Sequence, residues 1–158
     1  MKKIILSAFA LVTFGFASAQ ETKFGVKAGL DMATVKVDVP FFGSVSSSET
    51  GFFVGGYAQI GISEKFAIQP EVSYVAIKDF NMLHVPVLAK INFAEKFSAL
   101  VGPSLNYLLD AEEDEMKFNV EAGAMYDITD VIDVSAKYSL GFGDVSVNGL
   151  FLGVGYKF

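Results

Sequence analysis

The sequence predicts an all-β fold, an eight-stranded antiparallel up-and-down transmembrane barrel, and three observations carry that reading. Apolar residues alternate with small or polar ones in eight successive segments of about 9 to 13 residues, the length a tilted strand needs to cross a bilayer. Hydrophobic residues make up 52% of the chain and mean hydropathy is +0.44. Beyond residue 19, however, no apolar run reaches the roughly 18 residues of a spanning helix. The final segment sets Leu150, Leu152, Val154, Tyr156 and Phe158 against Phe151, Gly153, Gly155 and Lys157, an apolar outside over a narrow inside.

The amino terminus reads as an export leader. Lys2 and Lys3 precede an apolar run from Ile4 to Phe16, and Ala17-Ser18-Ala19 supplies the small-residue exit. Residues 1–19 are expected to be a cleaved signal peptide, and residues 20–158 one outer-membrane β-barrel domain. All 12 basic residues are lysine; without Lys2 and Lys3, ten face 18 acids, and the formal charge moves from −6 to −8. That balance argues against nucleic acid as a partner. Cysteine is absent, so any membrane attachment must come from the fold.

In order, Phe24, Val26, Ala28 and Leu30 share one face of the first segment, with Gly25, Lys27, Gly29 and Asp31 on the other. Phe52, Val54, Ala58, Ile60 and Ile62 oppose Phe53, Gly55, Tyr57, Gln59 and Gly61. Phe66, Ile68, Val72 and Tyr74 oppose Gln69, Glu71 and Ser73, and Leu83, Val85, Val87, Ala89, Ile91 and Phe93 oppose His84, Lys90 and Asn92. Phe97, Ala99, Val101, Leu105, Tyr107 and Leu109 oppose Ser98, Gly102, Ser104, Asn106 and Asp110. Phe118, Val120, Ala122, Ala124 and Tyr126 oppose Asn119, Glu121 and Gly123. Ile132, Val134, Ala136, Tyr138 and Leu140 oppose Asp133, Ser135, Lys137, Ser139 and Gly141, and the closing segment makes eight.

Tight connections at Ser63-Glu64-Lys65, Ala94-Glu95-Lys96 and Thr129-Asp130 contrast with longer polar stretches from Lys36 to Thr50 and Asp110 to Met116. The expectation is tight turns in the periplasm and long loops outside. Ser63-Glu64-Lys65-Phe66 returns as Ala94-Glu95-Lys96-Phe97, a hairpin repeat. Phe24, Phe66, Phe93, Phe97, Tyr126 and Phe158 form one expected aromatic girdle, and Phe52, Tyr74, Phe80, Tyr107, Phe118 and Tyr138 the other. Pro70, Pro86 and Pro103 fall inside strands without an N–H for the ladder, which predicts bulges or register shifts there.

These motifs resemble the PorT-like outer-membrane β-barrel family of Bacteroidota. Phe24-Gly25-Val26-Lys27-Ala28-Gly29-Leu30 is similar to its opening strand, and Leu83-His84-Val85-Pro86-Val87-Leu88-Ala89-Lys90 to its L-x-I-P-V-L-x-K strand. Gly102-Pro103, Tyr107-Leu108-Leu109 and the closing Leu152 to Phe158 also match, so the likeness covers the mature chain. The resemblance implies a barrel in the outer membrane of a Gram-negative cell, with outer-membrane lipid and the barrel-assembly machinery as partners. It implies that Tyr156 and terminal Phe158 form the assembly signal. It carries no catalytic motif; the member that names the family is associated with protein secretion across the outer membrane.

The inward phase collects Lys27, Asp31, Glu71, His84, Lys90, Glu121, Asp133 and Lys137 as a polar network in the lumen. An eight-stranded barrel is about wide enough for side chains alone, so the expected state is a salt-bridged plug rather than a solute path. His84, the only histidine, could be combined with Glu71 or Ser73 as a catalytic element, but no second element has recognisable spacing and no enzyme is expected. The acidic run Asp110 and Glu112 to Glu115 lacks the spacing that wraps calcium, and no metal or cofactor is expected. Phe41 and Phe42, before a serine tract, form an apolar outer tip with three open readings: contact with an extracellular or envelope protein, folding over the lumen mouth, or dipping into the outer leaflet. The expected role is structural or binding, in a monomer. The alternatives are a narrow solute pore or secretion accessory, and a soluble periplasmic lipocalin-like carrier.

Overall fold

The computed structural model describes residues 21–39, 41, 43–78, 80–109, 116–142 and 145–158. The leader, Phe42, the side chain of Phe80 and the acidic run 110–115 lie outside the described residues. Eight strands follow one another: β1 (Thr22–Val39), β2 (Gly43–Gly61), β3 (Phe66–Ile77), β4 (Phe80–Asn92), β5 (Phe97–Leu108), β6 (Met116–Asp127), β7 (Ile132–Gly141) and β8 (Val145–Lys157). Each pairs antiparallel with the next, and β8 pairs with β1 to close the barrel.

The register defines the shape. From Thr22, successive partners are Ile60, Ile68, Ala89, Val101, Ala122, Tyr138 and Leu150, and the path returns to β1 at Met32, ten residues along (32 − 22). That stagger over eight strands tilts them by roughly 40° and leaves an interior filled by side chains. Strands lie close where the lumen face carries glycine. A Cβ added at Gly29 would sit 2.6 Å from the Cα of Gly153, so only glycine fits there.

The alternation sorts side chains as expected. Phe24, Val26, Leu30, Val54, Val72, Val87, Val101, Val120, Leu140 and Val154 are exposed on the outside, whereas Lys27, Asp31, Gln69, Glu71, His84, Glu121 and Lys137 are buried inside. A soluble carrier of lipocalin type needs the reverse distribution. One girdle gathers Phe93, Phe97 and Tyr126, with ring centroids 6.1 and 4.7 Å apart along the series, and Phe52, Tyr74, Phe118 and Tyr138 stand exposed toward the opposite end.

Two expectations are corrected. The stretch from Lys36 to Thr50 is not a loop: β1 runs to Val39 and β2 begins at Gly43, with Val35 opposite Ser47 and Val37 opposite both Val45 and Val145. Alternating valines extend the period of two, and ladder hydrogen bonds satisfy the backbone whatever the serines between them prefer. Connections on the side of the β1–β2 hairpin, the hairpin end, then span residues 40–42, 78–79, 109–115 and 142–144, against 62–65, 93–96 and 128–131 at the other end. Loop length therefore does not separate the two ends; the projecting β1–β2 ribbon does.

The prolines shift no register. Pairing passes from Tyr57↔Glu71 to Ile60↔Ile68 around Pro70, from Pro70↔Val87 to Ser73↔His84 around Pro86, and from Pro86↔Ser104 to Ala89↔Val101 around Pro103. Three residues elapse on both strands each time, so each proline interrupts hydrogen bonding without inserting a residue.

Candidate functional site

Because side chains alternate, six strands send polar groups to the middle of one lumen. Glu71 of β3 receives Lys27 Nζ of β1 on Oε1 at 2.5 Å and Lys137 Nζ of β7 on Oε2 at 2.6 Å. Lys137 also lies 3.3 Å from Glu121 Oε2 of β6, whose Oε1 is 2.8 Å from His84 Nε2 of β4. The other ring nitrogen, Nδ1, is 2.5 Å from Asn106 Oδ1 of β5, and the imidazole stacks on Phe151 at 4.5 Å and 13°. Gln69 donates to Glu71 at 2.7 Å. These carboxylates and ammoniums are fully desolvated, and losing one partner of such a pair costs about 3–5 kcal/mol.

Toward the end where residues 21 and 158 lie, a second group forms. Lys157 contacts Asp127 at 2.5 Å and Asp133 at 3.9 Å, Lys90 lies 3.8 Å from Asp127, and Tyr57 donates to Asp133 at 2.7 Å. A mouth of about 800 Å³ opens beside it, lined by Lys23, Lys65, Lys90, Glu64, Glu95 and Asp127 among others. Toward the hairpin end, Ala33, Phe53, Val75, Ile77, Met82 and Phe151 form an apolar cluster inside the barrel. Leu88, Leu100 and Met125 fill one flank nearer the middle.

All eight residues expected in the lumen are there and buried. Lys27, Glu71, His84, Glu121 and Lys137 form one chain of contacts, and Lys90 and Asp133 belong to the second group with Asp127 and Lys157. Asp31 stands apart, fully buried, with neither carboxylate oxygen hydrogen-bonded. Asp127 and Lys157 were not foreseen in the network, although both continue the inward phase of their strands. Phe53 and Phe151 follow the inward phase read for their strands, whereas their meeting with Val75 and Met82 in an apolar interior was not foreseen. Ser73 stands opposite His84 in register, but the imidazole nitrogens face Asn106 and Glu121, and Glu71 is held by two lysines. Phe41 is fully exposed at the ribbon tip with φ of 72°, and Tyr156 and Phe158 are exposed on the lipid side. Among the described residues, no three His, Asp or Glu side chains form a metal cluster.

The model of the outer membrane protein beta-barrel domain matches residues 4–158. No curated protein matches. Among solved structures, the chain is similar to Ail, the attachment invasion locus protein of Yersinia pestis. Identity is 17% and TM-score 0.57, over 88% of this chain and 100% of that one. It is similar to a de novo designed transmembrane β-barrel (18%, TM-score 0.60, 89% and 99%) and to neisserial surface protein A (17%, 0.54, 88% and 100%). At such identities the likeness is one of fold.

Proposed function

Since the chain belongs to the outer membrane protein β-barrel domain family, we propose that it is a closed, non-enzymatic barrel with a structural or binding role in the Gram-negative envelope. On this reading residues 1–19 export it, the barrel-assembly machinery inserts it through Tyr156 and Phe158, and it works as a monomer of the PorT-like type. The observation that carries closure is the ion network on Glu71, which links β1, β3 and β7 across the lumen with contacts of 2.5 and 2.6 Å. A solute would have to break desolvated ion pairs to pass. In planar bilayers the pure protein is expected to give no stable single-channel steps; regular steps would replace this reading with that of a narrow pore.

Binding is assigned to the projecting β1–β2 ribbon. A non-glycine residue in the left-handed region costs about 1–2 kcal/mol, and a fully exposed phenylalanine gains no burial to offset it. Strain of that kind gathers at sites of contact. Ail is by its name an attachment protein, and the ribbon supports an analogous contact with an extracellular or envelope protein. Phe41→Gly is expected to leave folding intact while abolishing adhesion of cells that display the barrel. Adhesion equal to wild type would remove the ribbon tip from this role.

A further inference from the structure

Among the described residues, every buried side-chain nitrogen or oxygen without a hydrogen-bond partner belongs to Asp31, His84, Ser104, Asn119 or Glu121. These five share one part of the lumen. Ser104 pairs with Asn119 in register, Asn119 donates to Ser139 at 2.8 Å, and Ser139 pairs with Gly149. A Cβ added at Gly149 would sit 2.7 Å from Asp31 Oδ1 and 2.9 Å from the Phe151 ring, so the Asp31 carboxylate lies directly over the bare backbone of Gly149. Glu121 and His84 lie 2.8 Å apart, and the His84 ring stacks on Phe151, the β8 partner of Asp31.

Glu121 faces His84 Nε2 at 2.8 Å and Lys137 Nζ at 3.3 Å, which leaves both oxygens of Asp31, Asn119 Oδ1 and Ser104 Oγ as acceptors without a matched donor. Buried acceptors without donors call for water or a cation. Charge decides between them. Glu121 already has His84 and Lys137 within 3.3 Å, whereas Asp31 has no ion-pair partner among the described residues. A carboxylate without an ion-pair partner, beside neutral oxygens, matches a single positive charge; two charges would need more acidic ligands.

We propose that Asp31, with Asn119 Oδ1 and Ser104 Oγ, holds a partly hydrated alkali-metal cation in the hairpin half of the lumen. The apolar cluster of Ala33, Phe53, Val75, Ile77, Met82 and Phe151 flanks the site, so the ion enters as the barrel closes and leaves slowly. The site is independent of whether the lumen conducts.

The test refolds the full mature chain from urea into detergent micelles in sodium, potassium, rubidium or choline chloride at equal ionic strength. Unfolding temperature is then read by unboiled gel electrophoresis. Choline is too large to enter. A rise of about 5 °C in at least one alkali chloride over choline is expected, and Asp31→Asn should fold and lose the difference. Crystals grown in rubidium chloride supply a readout without any variant: an anomalous peak beside the Asp31 carboxylate is expected. Equal unfolding temperatures in all four salts, a response retained by Asp31→Asn, or a rubidium peak only elsewhere would each overturn the proposal.

Discussion

Glu71 is the residue on which the lumen turns, because lysines from β1 and β7 meet its two oxygens. Glu71→Gln leaves Lys27 and Lys137 buried beside a neutral amide, and a loss of about 3–5 kcal/mol is expected. Urea titration in lipid vesicles followed by far-ultraviolet circular dichroism measures it, since the chain has no tryptophan to report fluorescence. Adding Lys27→Met should recover part of the loss by removing an unpaired charge. Glycine positions divide by the same close reading. Gly29→Ala would drive a methyl into the β8 backbone and is expected to destabilise by more than 1 kcal/mol. Gly56→Ala meets only the Gly25 carbonyl at 3.6 Å and should be within about 0.5 kcal/mol of wild type. Equal effects in the same urea titration would contradict this packing of β1 against β8.

For a strand, the governing quantity is depth. Val87 of β4 faces lipid opposite Pro70, in the middle of the wall, and Val87→Lys is expected to cost about 2–4 kcal/mol. Val37 of β1 lies where only the ribbon and β8 continue, so Val37→Lys should cost about 0–1 kcal/mol. Chemical denaturation of both variants in the same vesicles checks the gradient. The phase of each strand was legible in the sequence because lipid and lumen impose opposite chemistries on neighbouring residues, as at Val26 and Lys27. Strand ends were not. The serines from Ser46 to Ser48 read as loop, yet their ladder partners Lys36, Val35 and Thr34 keep them in sheet. Register at Pro70, Pro86 and Pro103 was also beyond the sequence, since a missing donor can be left unpaired as well as bulged. Membership in the lumen could be read from alternation, but partnership could not. Lys137 and Glu71 are 66 residues apart, and the stagger of the whole wall decides that they meet.

At the scale of the molecule, closure joins β1 to β8 along Gly25↔Lys157 to Val37↔Val145, and Phe158 donates its N–H to Phe24 at 2.9 Å. Phe158→Ala removes a lipid-side aromatic from a wall that is otherwise complete. Its folding free energy in vesicles is expected to stay within about 0.5 kcal/mol of wild type. If Phe158 is an assembly signal, the amount reaching the outer membrane in cells should fall, which membrane fractionation quantifies. Equal loss in both assays would make the residue structural. The meeting of the two strand ends has a topological meaning as well. Eight staves joined edge to edge form a necklace, and the chain's order of synthesis only says where its clasp lies. A short bridge from residue 158 to residue 21, with the clasp reopened at another connection, would renumber every strand and keep all eight seams.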